Sequence, residues 1–333
     1  MASEVLAPNA PKRPKSRHVV FLDQNVICEL AKHRLGRPSS FSAGAKRLLD
    51  SLDAAVVKRQ VAVCVESIYH RIESEPLDGG PDNGALFEEA WGLLGGFTRN
   101  LSFEDRRQIL GYEVFAAISA ARGVPWPEDA RNNRTFDEDP DKRWKGDFFL
   151  RVPWRTRFGP LLKWAHKAEA FRNERSRPPE EIFEILVDGS RGQIEEERLH
   201  VSWSDEHHPD PKYRITPNDI LTVVRSPAFS TLPYVTVQAS LLAAVLSEPK
   251  RPFEDSDIVD THYYAAALPR CDFLMVDSYM AERIKQLKLA ELYGAQVFAS
   301  KQTDCIALAE RLDALTEHGN GPGPRSSRLA EGA

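Results

Sequence analysis

At 333 residues and 42% hydrophobic content, the chain has material for one large domain or two ordinary ones, and a folded protein with a full core is expected. The net charge of −5 argues against a general nucleic-acid coat protein, which would be basic across a whole face. No run of eighteen apolar residues occurs and the first ten residues lack the charged start and long apolar stretch of a secretory signal, so no membrane association is expected and the cytoplasm is the expected compartment.

The N-terminal residues 1–17 are rich in Pro, Lys and Arg without periodicity and read as a disordered tail. A strongly apolar strand follows, His18-Val19-Val20-Phe21-Leu22, and stops at Asp23. Residues 25–32 start a helix, and Ser42 is placed to cap a second one, whose Leu48, Leu49, Leu52, Ala55 and Val56 share a stripe. Gln60 breaks to a second strand, Val61-Ala62-Val63-Cys64-Val65, apolar throughout as a buried parallel strand should be, with Glu66 directly after it. From about Pro76 the pattern changes to helical stripes at residues 85–97, 103–121, 158–175 and 179–187, separated by Pro, Gly, Asn and Asp. Strand and helix alternation then resumes. A helix at residues 235–246 precedes an acidic loop and a helix at 258–267, and a strand then ends at Asp277. A helix at 278–287, a strand at 295–299 and a helix at 303–315 complete the pattern.

Alternation of this kind implies an α/β fold with a parallel central sheet covered by helices on both faces. The expected organisation is a discontinuous α/β domain of residues 18–75 and 232–315, a mostly helical insertion at 76–231, and a second disordered tail at 316–333. The four cysteines, Cys28, Cys64, Cys271 and Cys305, are far apart, lack Cys-x-x-Cys spacing and read as reduced core thiols.

Acids at the carboxyl ends of buried strands carry the functional signal. Open α/β sheets hold their ligands there, because the loops converge on a place that the sheet keeps rigid. Asp23 and Asp277 each end an apolar strand, and the cluster Glu254-Asp255-Ser256-Asp257-Ile258-Val259-Asp260 lies between them in sequence. Crowded carboxylates repel, and a hard cation such as Mg²⁺ or Mn²⁺ between them relieves the repulsion. Asp257 and Asp260 are three apart at a helix start, so both could face one site, or one could simply cap the helix. Glu254 and Asp255 read as solvated loop charges, and His262 as a satisfied, partly buried histidine.

Laid out in this way, the chain resembles a PIN-like domain, a nuclease fold in which a few acids on a small parallel sheet bind divalent metal. The resemblance rests on Phe21-Leu22-Asp23-Gln24-Asn25-Val26, on Glu66 after the second strand, and above all on the run from Asp257 to Asp277. It implies Asp23 as the first metal-binding aspartate, Glu66 as the acid after strand two, Asp260 or Asp257 as the third and Asp277 as the fourth. Where the family carries a small hydroxyl residue near the last acid, this chain has Met275-Val276. The implied chemistry is phosphodiester hydrolysis by metal-activated water, with Asp23, Asp260 and Asp277 as ligands. Glu66 or Asp257 would orient the water, and Asn25 would brace a neighbouring carboxylate.

A second signal is electrostatic. Residues 141–177 hold eleven Lys or Arg against four Asp or Glu, interleaved with aromatic residues, whereas residues 178–210 hold ten acids against two bases. Within the basic stretch, Arg151, Trp154, Arg155 and Arg157 surround Pro153, a combination that can stack a base and grip phosphates. The same stretch also reads as an amphipathic helix with solvated cations. The expected partner is therefore RNA, with single-stranded DNA second; a homodimer, or an inhibitory partner if the chain acts as a toxin, also fits the resemblance. The alternatives are a non-catalytic RNA-binding or scaffold protein of the same fold, and a haloacid-dehalogenase-like phosphatase. The latter wants an Asp two residues after its nucleophile, where this chain has Asn25.

Overall fold

The computed structural model describes residues 17–41, 43–67, 70, 81–98, 101–103, 106–124, 136–137, 177–196, 214–248 and 250–318. Within them it is an α/β fold with a four-stranded, all-parallel sheet of order β2-β1-β5-β6. The strands are β1 (His18–Leu22), β2 (Ala62–Val65), β5 (Phe273–Val276) and β6 (Gln296–Ala299), and a separate short antiparallel pair joins β3 (Ser102–Phe103) to β4 (Phe136–Asp137).

Eleven α-helices are described: α1 (Gln24–Arg34), α2 (Ala43–Leu52), α3 (Pro81–Thr98), α4 (Arg106–Ala121), α5 (Pro179–Glu196), α6 (Pro217–Arg225), α7 (Pro233–Leu246), α8 (Asp255–Ala267), α9 (Ser278–Gln286), α10 (Leu289–Tyr293) and α11 (Gln302–His318). They belong to two units. The sheet unit holds both sheets with α1, α2, α3, α9, α10 and α11, and the helical unit holds α4 to α8. Thus α3, inside residues 76–231, packs on α1 and β2 of the sheet unit, while α7 and α8 pack with each other in the helical unit. The helix expected at 158–175 lies outside the described residues, as do residues 1–16 and 319–333 of the two expected tails, whereas residues 316–318, expected in the second tail, continue α11 to His318.

Local sequence explains the sheet unit. Strands buried on both faces must be apolar throughout, as β1 and β2 are. Val20 and Leu22 share one face with Ala62, Cys64, Phe273 and Met275, and against this face pack Val26, Ile27 and Leu30 of α1, Leu48 and Leu52 of α2, Leu93 and Phe97 of α3, and Leu308 and Leu312 of α11. The opposite face, Val19, Phe21, Val63, Val65, Leu274 and Val276, is equally buried. Each such aliphatic side chain contributes about 1.5–3 kcal/mol on burial. After α2 the chain continues as a π-helical turn, Asp53–Lys58, and stops where Gln60 takes a left-handed conformation with φ 55°. That conformation turns the chain into β2 and is the break that Gln60 was expected to supply.

In the helical unit, α7 is apolar nearly all round and packs against α5 and α8. Helix α6, which the hydrophobic pattern did not predict, starts from a capping box between Thr216 and Asp219 with Pro217 at its first position. Hydrogen bonds from the Thr216 hydroxyl and amide, with the Arg122 guanidinium, outweigh the effect of burial and hold the Asp219 carboxyl below its usual range. All four cysteines are free thiols, and burial pushes Cys64 up to about 12, which makes it an inert core residue as expected. No described helix is long and apolar enough to cross a membrane.

Candidate functional site

Strand order decides where the sheet unit can hold a ligand. From β1 the chain goes to β2 on one side, and only after the helical elements does it return to β5 on the other side. The direction of winding therefore reverses between β1 and β5, and at such a point the loops after neighbouring strands part and leave room at their carboxyl ends. Asp23 follows β1 and Asp277 follows β5, so two of the expected acids flank this reversal. Glu66 follows β2, the next strand along. Three acids therefore stand at the carboxyl ends of three consecutive strands, whose backbones in any sheet are about 4.8 Å apart.

The two aspartates have matching local geometry. Asp23 is 6% exposed; its amide still bonds the Met275 carbonyl at 2.9 Å, and its Oδ1 accepts from the Asn25 amide at 2.9 Å to cap α1. Asp277 is half-buried, and its Oδ1 accepts from the amides of Tyr279 at 2.8 Å and Met280 at 3.0 Å to cap α9. Each aspartate therefore ends a strand and begins a helix. A helix amino terminus is a favourable seat for anions, so two helices starting side by side suit both carboxylates and phosphate. Asn25 supports Asp23 through its backbone N–H, while its side chain is exposed.

Glu66 is 4% exposed and is held by its backbone: its amide donates to the Leu101 carbonyl at 3.1 Å and its carbonyl accepts from the Phe103 amide at 2.8 Å. Beside it lies His70, fully buried, which sequence reasoning did not single out. Its Nδ1 accepts from the Ser67 amide at 3.0 Å, and its Nε2 lies 2.7 Å from the Leu22 carbonyl. A carbonyl only accepts, so Nε2 carries the proton and Nδ1 the lone pair. Burial drives its pKa down to about 4, which keeps the ring neutral at physiological pH.

The remaining expected acids, Asp257 and Asp260, belong to α8 of the helical unit. Asp257 is fully buried, and Arg251 donates to both of its oxygens, at 2.8 and 2.5 Å, while the Glu254 amide donates to one of them at 2.8 Å. It thereby completes a capping box at the start of α8. Asp260 lies one turn further on and is half-buried. On the same helix His262, expected to be satisfied and only partly buried, is fully buried: its Nδ1 lies 2.7 Å from the Tyr234 hydroxyl, and burial, with a smaller effect of the Arg106 charge, holds its pKa well below the usual value. A buried acid that the sequence pattern missed, Glu113 of α4, accepts from the Tyr234 amide through both oxygens, at 3.1 and 2.9 Å. Arg151, Trp154, Arg155 and Arg157 lie outside the described residues.

The donor chemistry of the sheet edge is carboxylate oxygen, the kind of ligand that hard cations such as Mg²⁺ or Mn²⁺ take. Among the described residues no group of three or more His, Cys, Asp or Glu side chains forms a cage for a metal ion. A cage is not what Mg²⁺ needs, because it keeps several waters and takes one or two carboxylates together with phosphate oxygens of a substrate. Asp23 and Asp277 end neighbouring parallel strands. The groove lined by Phe298, Glu310 and Arg311 between β6 and α11 contains none of the expected acids.

No protein-family model matches this chain, and no significant match exists among curated proteins or solved structures.

Proposed function

We propose that the protein is a divalent-metal-dependent nuclease of PIN-like type that hydrolyses phosphodiester bonds, with RNA as its main substrate. The observation that carries this reading is the row of Glu66, Asp23 and Asp277 at the ends of three consecutive parallel strands, with the reversal of winding between the last two. Asp23 and Asp277 would hold the ion. When bound, Mg²⁺ or Mn²⁺ supplies a Lewis acid for the phosphoryl oxygens and lowers the pKa of a coordinated water. Glu66 would accept a proton from the attacking water through its carboxylate. The amino termini of α1 and α9 add partial positive charge beside the scissile phosphate.

RNA would be gripped by Arg151, Arg155 and Arg157, with Trp154 stacking on a base; this part of the proposal rests on the sequence. The four free thiols support a reducing, cytoplasmic setting. The deciding experiment is cleavage of mixed-structure RNA and of single-stranded DNA in Mn²⁺, Mg²⁺ or EDTA by the wild type and by Asp23→Asn, Asp277→Asn and Asp260→Asn variants. Metal-dependent RNA cutting lost in Asp23→Asn and Asp277→Asn is expected. RNA binding with no cutting in any metal would favour a scaffold protein instead.

A further inference from the structure

Glu66 and Asp23 directly follow two paired strands, and a side chain that fixed the distance between the strand ends would set the geometry of both acids. His70 touches both ends. Its Nδ1 takes the amide hydrogen of Ser67, the residue after Glu66, and its Nε2–H reaches the carbonyl of Leu22, the residue before Asp23. The ring is fully buried, and its centroid lies 5.3 Å from that of Phe21, so its plane is held by packing as well as by the two hydrogen bonds. The two bonds need opposite roles at the two nitrogens, which only a neutral ring with its proton on Nε2 satisfies. Burial secures that neutral form, since a charged ring would be stranded away from water.

We propose that His70 is a positioning residue that clamps the carboxyl ends of β1 and β2 and so fixes the spacing of Asp23 and Glu66. The inference rests on the nuclease reading for its effect on chemistry, but the clamp itself can be tested apart from it. Sequence alone would not have singled out His70, because a lone histidine four residues after Glu66 has no ligand spacing and its partners are backbone atoms.

The test uses the full chain and two substitutions. His70→Leu fills the cavity without either hydrogen bond. His70→Gln keeps a donor for the Leu22 carbonyl and loses the acceptor for Ser67. Three readouts are taken: RNA cleavage against Mn²⁺ concentration, ¹⁵N shifts of the histidine ring in the wild type, and exchange rates of the Asp23 and Ser67 amides. The expected wild-type spectrum is a neutral ring with Nε2 protonated. His70→Leu should exchange both amides faster and cut RNA about 10–100-fold more slowly, as the loss of groups supporting metal ligands does elsewhere, with His70→Gln in between. A His70→Leu variant with wild-type cleavage, wild-type Mn²⁺ dependence and unchanged exchange would overturn the proposal, as would a ring protonated on Nδ1. If the wild type cuts nothing, the nuclease reading fails, and the clamp is then decided by the exchange rates and ring shifts alone.

Discussion

Arg251 grips Asp257 through both carboxylate oxygens at the start of α8, and the same carboxylate caps the helix by accepting from the Glu254 amide. Asp257 is fully buried while Arg251 keeps 28% of its side-chain surface in solvent, so the pair is anchored at one end only. Removing the arginine strands a buried charge. Arg251→Ala should therefore destabilise the protein by roughly 1–3 kcal/mol, less than the cost of breaking a fully buried pair. Asp257→Asn keeps an acceptor for Glu254 and should cost less; a double-mutant cycle by urea denaturation checks both. If instead Asp257 holds metal, Asp257→Asn will weaken Mn²⁺ binding well beyond any change in stability.

Asparagine caps helices about as well as aspartate, and this separates folding from charge at the sheet edge. Asp23→Asn and Asp277→Asn are expected to keep stability within about 0.5 kcal/mol, whereas Asp23→Ala should lose about 1 kcal/mol with the cap. Cleavage, by contrast, should fall by about 100-fold or more in both asparagine variants. Thermal unfolding run beside Mn²⁺-dependent cleavage tells the two effects apart; a parallel fall of stability and activity would assign the aspartates a capping role alone.

His70 also sets a pH dependence of stability. Its folded pKa of about 4 lies below the usual 6.5, so between these values the unfolded chain takes up a proton that the folded chain refuses. The stabilisation is complete above pH 6.5, declines as pH falls, and is fully lost below about pH 4, on the order of 3 kcal/mol in all. Buried His262, depressed in the same direction, adds to the loss. Urea midpoints across this window should drop more steeply in the wild type than in His70→Gln.

Gly44 of α2 offers a test of packing. A Cβ there would meet the Gln302 carbonyl at 2.9 Å and the Cys305 Cβ at 3.2 Å on α11, whereas at Gly95 of α3 it would meet nothing within 4 Å. Glycine to alanine inside a helix ordinarily gains up to about 1 kcal/mol. Gly95→Ala should show that gain, and Gly44→Ala should lose about 1–3 kcal/mol, because backbone and core atoms cannot yield cheaply. Denaturation midpoints of the two variants, moving in opposite directions, are the expected result.

Glu113 supplies the cap that α7 lacks from its own sequence, since Leu232 at the N-cap has no side-chain acceptor. Glu113→Ala should cost about 1–3 kcal/mol by leaving the Tyr234 amide buried and unpaired. Glu113→Gln, which keeps an acceptor, should recover part of this in the same urea titration.

The four strands of the parallel sheet and the acids that end three of them could be read from the chain because both follow from contiguous pattern, an apolar run that must be buried and a charge at its end that must sit at an edge, whereas the two-residue strands β3 and β4 carry no such run and were not foreseen. Most helices were legible for the same reason. Helix α6 was missed although Thr216-Pro217-Asn218-Asp219 carries its capping signal, because its apolar stripe of Ile220, Val223 and Val224 is short. His70, Glu113 and Arg251 were missed for a different reason. Their partners are the Leu22 carbonyl, the Tyr234 amide and a carboxylate six residues away, and only the fold or a local turn brings these together.

Strand order also fixes a sequence of events during synthesis. β1 can pair with β2 once residues 18–65 have been made, but its other neighbour, β5, follows more than two hundred residues later. Pairings that close so large a loop form late. Asp23 and Glu66 thus emerge early on a half-built sheet, and Asp277 joins them only after the chain between has been translated. A nascent chain therefore carries an incomplete acidic row until β5, more than two hundred residues after β2, has been made.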